Sequence, residues 1–218
     1  MQPRLVLVLI TVGACGKDAP TPHGLDAGSS IGRPLPPPLD VFPMRPDETS
    51  TVTETRAGTE TTTRHREVCD VLLPDLACTA TDLAGAEREA LTKFRVTKSG
   101  LESLGTMLSD LAIVHDPPQV ILPVDYRVGT TWQQTIATAM IWRPTGEVEQ
   151  FVTEWAARIE ATDACAGGLR VVRIGDRNDG THDEIRDTYC PGRGVVETNF
   201  TRLKSGVETA RSRSVVDP

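Results

Sequence analysis

Five cysteines carry the most versatile chemistry in this 218-residue chain, because a thiol can ligate metal, attack a carbonyl, pair with another thiol or carry a lipid as a thioether. Nine positions separate Cys69 from Cys78 and twenty-five separate Cys165 from Cys190. Neither spacing matches the short Cys-x2-4-Cys knuckle of a zinc site, so no metal or other cofactor is expected. The densest set of oxygen ligands is Asp176-Arg177-Asn178-Asp179-Gly180-Thr181-His182-Asp183-Glu184. Its glycine is out of step with the Asp-x-Asn-x-Asp-Gly order of a calcium loop, so the segment reads as a solvated hairpin tip carrying an exposed His182. His23, His65 and His115 stand apart, no serine occupies a Gly-x-Ser-x-Gly elbow, and no two histidines share a helical turn. The expected class is therefore not an enzyme.

The start of the chain has three regions: Met1 to Arg4 with one positive charge, an apolar run from Leu5 to Val12, and small residues leading to Cys15. That order is the architecture of a secretory signal. The uncharged stretch from Leu5 to Ala14 is ten residues long, about half of the roughly 20 that a membrane-spanning helix needs. Val12-Gly13-Ala14-Cys15 resembles the lipobox of bacterial lipoproteins. The resemblance implies removal of residues 1–14 and a diacylglyceryl thioether on Cys15, with palmitate as a label for the lipid. Small side chains admit the dedicated peptidase, and the thiol accepts the lipid. Each buried methylene contributes about 0.8 kcal/mol and stable anchoring takes two signals, which a diacylglyceryl group meets. In enteric-type lipoproteins an aspartate after the cysteine favours the inner membrane. Gly16 stands there, so the implied site is the bacterial cell envelope, at the outer rather than the inner membrane.

In an exported chain the remaining Cys69, Cys78, Cys165 and Cys190 predict two disulfides. Three connectivities are open, and sequence proximity favours Cys69 with Cys78 and Cys165 with Cys190. A net charge of −7 without a basic stripe excludes nucleic acid as a partner, and 4% aromatic residues argue against base stacking. Gly16 to Pro46 holds eight of the 16 prolines, including Pro36-Pro37-Pro38. Residues 15–46 are accordingly expected to form a disordered or polyproline-like tether, leaving 47–216 as one β domain.

Within that domain apolar residues alternate. Trp132, Gln134, Ile136, Thr138, Met140 and Trp142 share one face, Pro144-Thr145-Gly146 supplies a turn, and Phe151, Thr153, Trp155, Ala157 and Ile159 return on the same face. Asn178-Asp179-Gly180 and Lys204-Ser205-Gly206 turn two further hairpins, Leu169–Ile174 with Glu184–Tyr189 and Val195–Leu203 with Val207–Val215. Gly58 and Ser99-Gly100 mark two more. Helix is expected from Asp82 through Leu83, Ala86, Glu87, Ala90 and Leu91, and from Ser109 to His115. The fold class expected is mainly β: a single curved, half-barrel-like antiparallel sheet of hairpins with one or two short helices.

Three segments, Val128-Gly129-Thr130-Thr131-Trp132, Ala166-Gly167-Gly168-Leu169 and Tyr189-Cys190-Pro191-Gly192-Arg193-Gly194-Val195-Val196, resemble in order and spacing a pattern found in many bacterial lipoproteins. There the pattern is Val-Gly-x-x-Trp, Ala-Gly-x-Phe and Tyr-Ala-Pro-Gly-x-Gly-x-Val. The likeness covers Val41 to Leu203, with Cys190 for the usual alanine and Leu169 for the aromatic. It implies an antiparallel sheet curled around an apolar concave face, similar to the periplasmic lipoprotein carriers, and implies no reaction. The motif residues read as structural. Trp132, Ile136, Met140, Trp142, Phe151 and Trp155 would line the inner face, either as ordinary core or as a surface for a lipid or other apolar ligand. The alternative is an interaction or structural module that docks an envelope protein by its outer face or sheet edge, where Thr59-Glu60-Thr61-Thr62-Thr63 would be exposed. In either reading the lipid on Cys15 makes the membrane a partner.

Overall fold

Period-two alternation runs through almost all of the chain that the computed structural model describes, residues 35–45, 47–83 and 89–217. The strands are β1 (Asp47–Arg56), β2 (Thr59–Leu72), β3 (Asp75–Asp82), β4 (Glu89–Thr97), β5 (Gly100–Met107) and β6 (Leu111–Pro123) in the first half. They continue as β7 (Thr131–Trp142), β8 (Glu147–Ala161), β9 (Leu169–Arg177), β10 (Thr181–Cys190), β11 (Gly194–Lys204) and β12 (Val207–Val216). Each pairs antiparallel with its neighbours in sequence, and β1 also pairs with β12 from Ser50↔Val216 to Arg56↔Ala210. The result is a closed, up-and-down barrel.

Closure corrects the expected open half-barrel. An open sheet would leave two rows of unpaired N–H and C=O groups on β1 and β12, and pairing those strands removes both edges. The helices are corrected too, since no helix occurs among the described residues. Leu111, Ile113 and His115 lie opposite Trp142, Met140 and Thr138 in the β6–β7 ladder, so cross-strand pairing overrides the local helical pattern. Asp82 ends β3, while Ala90 and Leu91 belong to β4. Ala86 and Glu87, like Cys15 and residues 1–14, lie outside the described residues.

Turns follow local chemistry. Ala57-Gly58 (φ 48° and 79°) and Ser205-Gly206 (φ 53° and 78°) place two positive angles in succession, the geometry of tight hairpins. Pro117 and Pro118 lack N–H donors, and regular β6–β7 pairing stops at Asp116↔Ala137. The Gln134 side chain takes over: the Val120 N–H donates to its Oε1 at 3.1 Å, and its Nε2 donates to the Val120 carbonyl at 3.4 Å.

The connections after β2, β4, β6, β8 and β10 fall at one end of the barrel, which residues 35–45 plug. Leu39 and Phe42 pack there with Leu76, Leu101, Leu122, Ile159, Leu169, Val171 and Tyr189, and Trp132 lies against this cluster. Phe42 meets Tyr126 and Tyr189 edge to face, at ring separations of 5.4 and 5.7 Å. The Gly192 N–H donates to the Val41 carbonyl at 2.7 Å, and a Cβ on Gly194 would stand 2.2 Å from the Pro43 carbonyl oxygen. Residues 35–45 are thus part of the barrel, and the tether expected over 15–46 is corrected for that stretch. The prolines there shape a turn that buries Pro38 and Leu39.

Most of the outer wall is charged. Outward positions hold the ion pairs Arg66–Asp47 (2.6 Å), Arg95–Asp75 (2.7 Å), Arg158–Glu160 (2.6 Å), Arg213–Glu197 (2.8 Å) and Arg64–Asp217. Val172, between Arg158 and Arg186 in register, is covered although it faces outward. A barrel crossing a bilayer carries a continuous outward apolar band, and these charges interrupt one.

Candidate functional site

Strand register assigns the inward side chains. On β8 they are Phe151, Thr153, Trp155, Ala157 and Ile159, opposite Arg177, Gly175, Arg173 and Val171 of β9 from Thr153 onward. On β10 and β11 they are Asp183, Ile185 and Asp187 against Arg202, Phe200 and Thr198. The lumen therefore changes character along its axis. Beyond the apolar plug it holds charged and aromatic groups.

Two acid–base pairs organise that half. Arg173 Nη2 donates to Asp187 at 2.5 Å, and the Thr198 hydroxyl donates to the other Asp187 oxygen at 2.8 Å. Arg202 grips Asp183 in a bidentate pair at 2.7 and 2.9 Å. Burial strengthens such pairs and makes loss of one partner costly. Arg177 lies 3.5 Å above the centre of the Phe151 ring and donates to Asp179 at 3.0 Å. The Trp155 indole lies over Gly175, where a Cβ would come within 2.9 Å of the ring. The glycine therefore leaves room for the ring.

The side chains of Arg173 and Arg177 are only 7% and 8% exposed, yet the Nε of each lacks a hydrogen-bond partner. Buried donors are nearly always satisfied; among the described residues Gln119 Nε2 and Trp132 Nε1 are also unpartnered, but only the Arg173 and Arg177 atoms belong to cationic groups. Beside them Ile113, Met140, Phe151, Trp155, Ile185 and Phe200 are half-buried. His115 Nδ1 lies 3.2 Å from the Thr138 hydroxyl. Burial, and then the Arg173 charge, hold its pKa below the usual value. Burial pushes the Glu67 carboxyl up.

Of the six expected inner-face residues, all share the inward parity, but they divide. Trp132 joins the plugged core and Ile136 is fully buried. Met140, Phe151 and Trp155 face the open half, and Trp142 reaches the exposed rim. The four cysteines pair as Cys69–Cys78 and Cys165–Cys190. Glu67 lies near Cys69 and Cys78, but their mutual bond leaves no thiolates to hold an ion. The acidic run from Asp176 to Glu184 does not converge on a ligand: Asp176 pairs outward with His182 at 2.7 Å, Asp183 turns inward, and Asp179 accepts the Thr181 N–H at 3.0 Å.

Sequence reasoning missed Arg173, Asp187 and Arg202, and read Arg177 and Asp183 only as part of a solvated hairpin tip. The available signal was parity, since Leu169, Val171 and Arg173 occupy alternate positions of one strand. Outside, a concavity of about 490 Å³ is lined by Arg170, Arg186, Arg211 and Arg213; Glu184, Glu208 and Glu197 pair with the last three. On β5–β8 the outward side chains Met107, Val114, Ala139, Ile141, Val148 and Val152 form an uncharged stretch. No protein-family model, curated protein or solved structure matches this chain.

Proposed function

We propose that this chain is a lipid-anchored protein of the bacterial envelope whose barrel holds a small amphipathic ligand in the half of the lumen beyond the plug. The apolar body of that ligand would lie on Met140, Phe151 and Trp155. Its anionic head would accept from Arg173 and Arg177. The carrying observation is the pair of unpartnered Nε donors on two deeply buried arginines, next to half-exposed aromatic rings. An entirely apolar ligand fits less well, because Leu39 and Phe42 already fill the apolar end. Nothing in this reading requires catalysis.

Two features support the anchor: the signal-like start ending at Cys15, and the pairing of every other cysteine, which suits an oxidising compartment. The lipoprotein-like motifs support the same reading, and their glycines and Trp132 have structural roles here. Labelled palmitate should enter the natural chain and not a Cys15→Ser chain. Native mass spectrometry of the gently extracted protein tests the ligand. An acidic amphiphile lost on Arg177→Gln substitution is the expected result, and a ligand-free barrel at full occupancy of the fold would sink the idea.

The uncharged outer stretch on β5–β8 favours a second reading, an interaction module for another envelope protein. It predicts that Ile141→Glu with Val148→Glu abolishes a co-purifying partner while leaving the lumen's contents unchanged.

A further inference from the structure

The plugged end carries bulky apolar side chains at the tips of its loops. Leu72 is 80% exposed, Val128 57%, and Leu73 and Val124 44% each. Their loops adjoin along the rim, because the Val96 N–H donates to the Pro74 carbonyl at 2.8 Å and the Val124 N–H to the Ser99 carbonyl at 3.0 Å. The charges among them are largely neutralised in place, Asp75 by Arg95 and Asp125 by Arg127 at 2.6 Å. Isolated exposed leucines are ordinary; a strip of them on projecting loops at one end is a surface.

We infer that this strip is a membrane-contacting edge, with Leu72, Leu73, Val124 and Val128 seated at the boundary between phospholipid headgroups and acyl chains. The inference rests on the anchoring reading of Cys15. The far end also exposes apolar groups, Val207 at 66% among them, so exposure does not choose between the ends. Chain geometry does. Leu35 lies four residues before Leu39 in the plug, and Cys15 is 20 positions upstream of Leu35. The chain joins the barrel through residues 35–45, so an anchor on Cys15 is attached at the plugged end and not at the far one. Arg127 and Lys98 on the same strip have stems long enough to keep their charges among headgroups. The other mouth of the lumen then faces the aqueous side.

The test uses the full lipidated chain reconstituted in phosphatidylethanolamine and phosphatidylglycerol vesicles containing dibrominated phosphatidylcholine, which quenches indoles at the acyl boundary. Leu72→Trp and Val207→Trp are compared with the parent protein, and palmitate uptake is measured on each. The added emission of Leu72→Trp should be quenched at least twofold and that of Val207→Trp left unchanged. A palmitate-labelled, vesicle-bound chain whose Leu72→Trp emission is unquenched overturns the membrane edge and leaves the anchor standing. A chain that takes up no palmitate overturns the anchor, and this inference falls with it.

Discussion

The two halves of the lumen share twelve strands and one pattern of alternation, yet one is filled with leucine and aromatic side chains while the other holds arginine–aspartate pairs beside half-exposed rings. The difference comes from outside the sheet. Residues 35–45 bring Leu39 and Phe42 to one mouth and complete a core that the inward leucines of β3, β5, β6 and β9 could not close across so wide a barrel. Small barrels are filled by their own side chains, and wider ones need a plug or keep a wet interior. This barrel has the plug at one end and paired charges at the other. The apolar half is held by burial and the polar half by pairing, so the two should fail in different ways.

The largest effect is expected from Asp187→Ala. It strands the buried Arg173 charge and should cost about 3–5 kcal/mol in urea unfolding. Asp187→Asn, whose one carbonyl oxygen can still accept from Arg173 while its amide donates to the Thr198 hydroxyl, should cost less; equal losses would show that packing and not pairing holds this half. Phe42→Ala comes next, at about 3 kcal/mol, from lost core volume and two edge-to-face contacts. Phe151→Ala at the polar end is the matched control. Being half-buried, it should cost about 1–2 kcal/mol, and a loss equal to that of Phe42→Ala would erase the distinction between the ends.

The smallest effect is a pH slope. Because the folded pKa of His115 is depressed, the unfolded chain protonates first as pH drops below the ordinary value of 6.5. Stability should therefore decline from there down through the lowered value and level off beneath it. His115→Gln should flatten that part of the Tm-against-pH curve, and an unchanged slope would mean that His115 is not sequestered from water.

Much of the sheet was legible because its determinants are local. Asp179-Gly180, Ser205-Gly206 and the alternation from Trp132 to Ile159 specify hairpins within a dozen residues of themselves. Closure was not, since open and closed sheets share one alternation and the β1–β12 seam joins residues as far apart as Thr51 and Asp217, 166 positions. The plug was hidden by its prolines, which give a buried turn and a solvated tether the same composition. Its clue was the cluster Val41-Phe42-Met44 among them. The lumen charges were obscured because an arginine within a strand is ordinarily taken as solvent-facing. Only the partner positions, Asp187 for Arg173 and Asp183 for Arg202, reveal that they turn inward, and those partners lie on neighbouring strands.

The β1–β12 seam also sets the order of assembly. Hairpins and the Cys69–Cys78 bond need only nearby residues, but β1 stays without one of its neighbours until β12 is available. A chain synthesised from its N-terminus would wait, almost fully formed, with two sticky strands exposed. Contacts this distant in sequence form slowly. A stop codon before Val207 would leave an arc with two reactive edges in place of a ring.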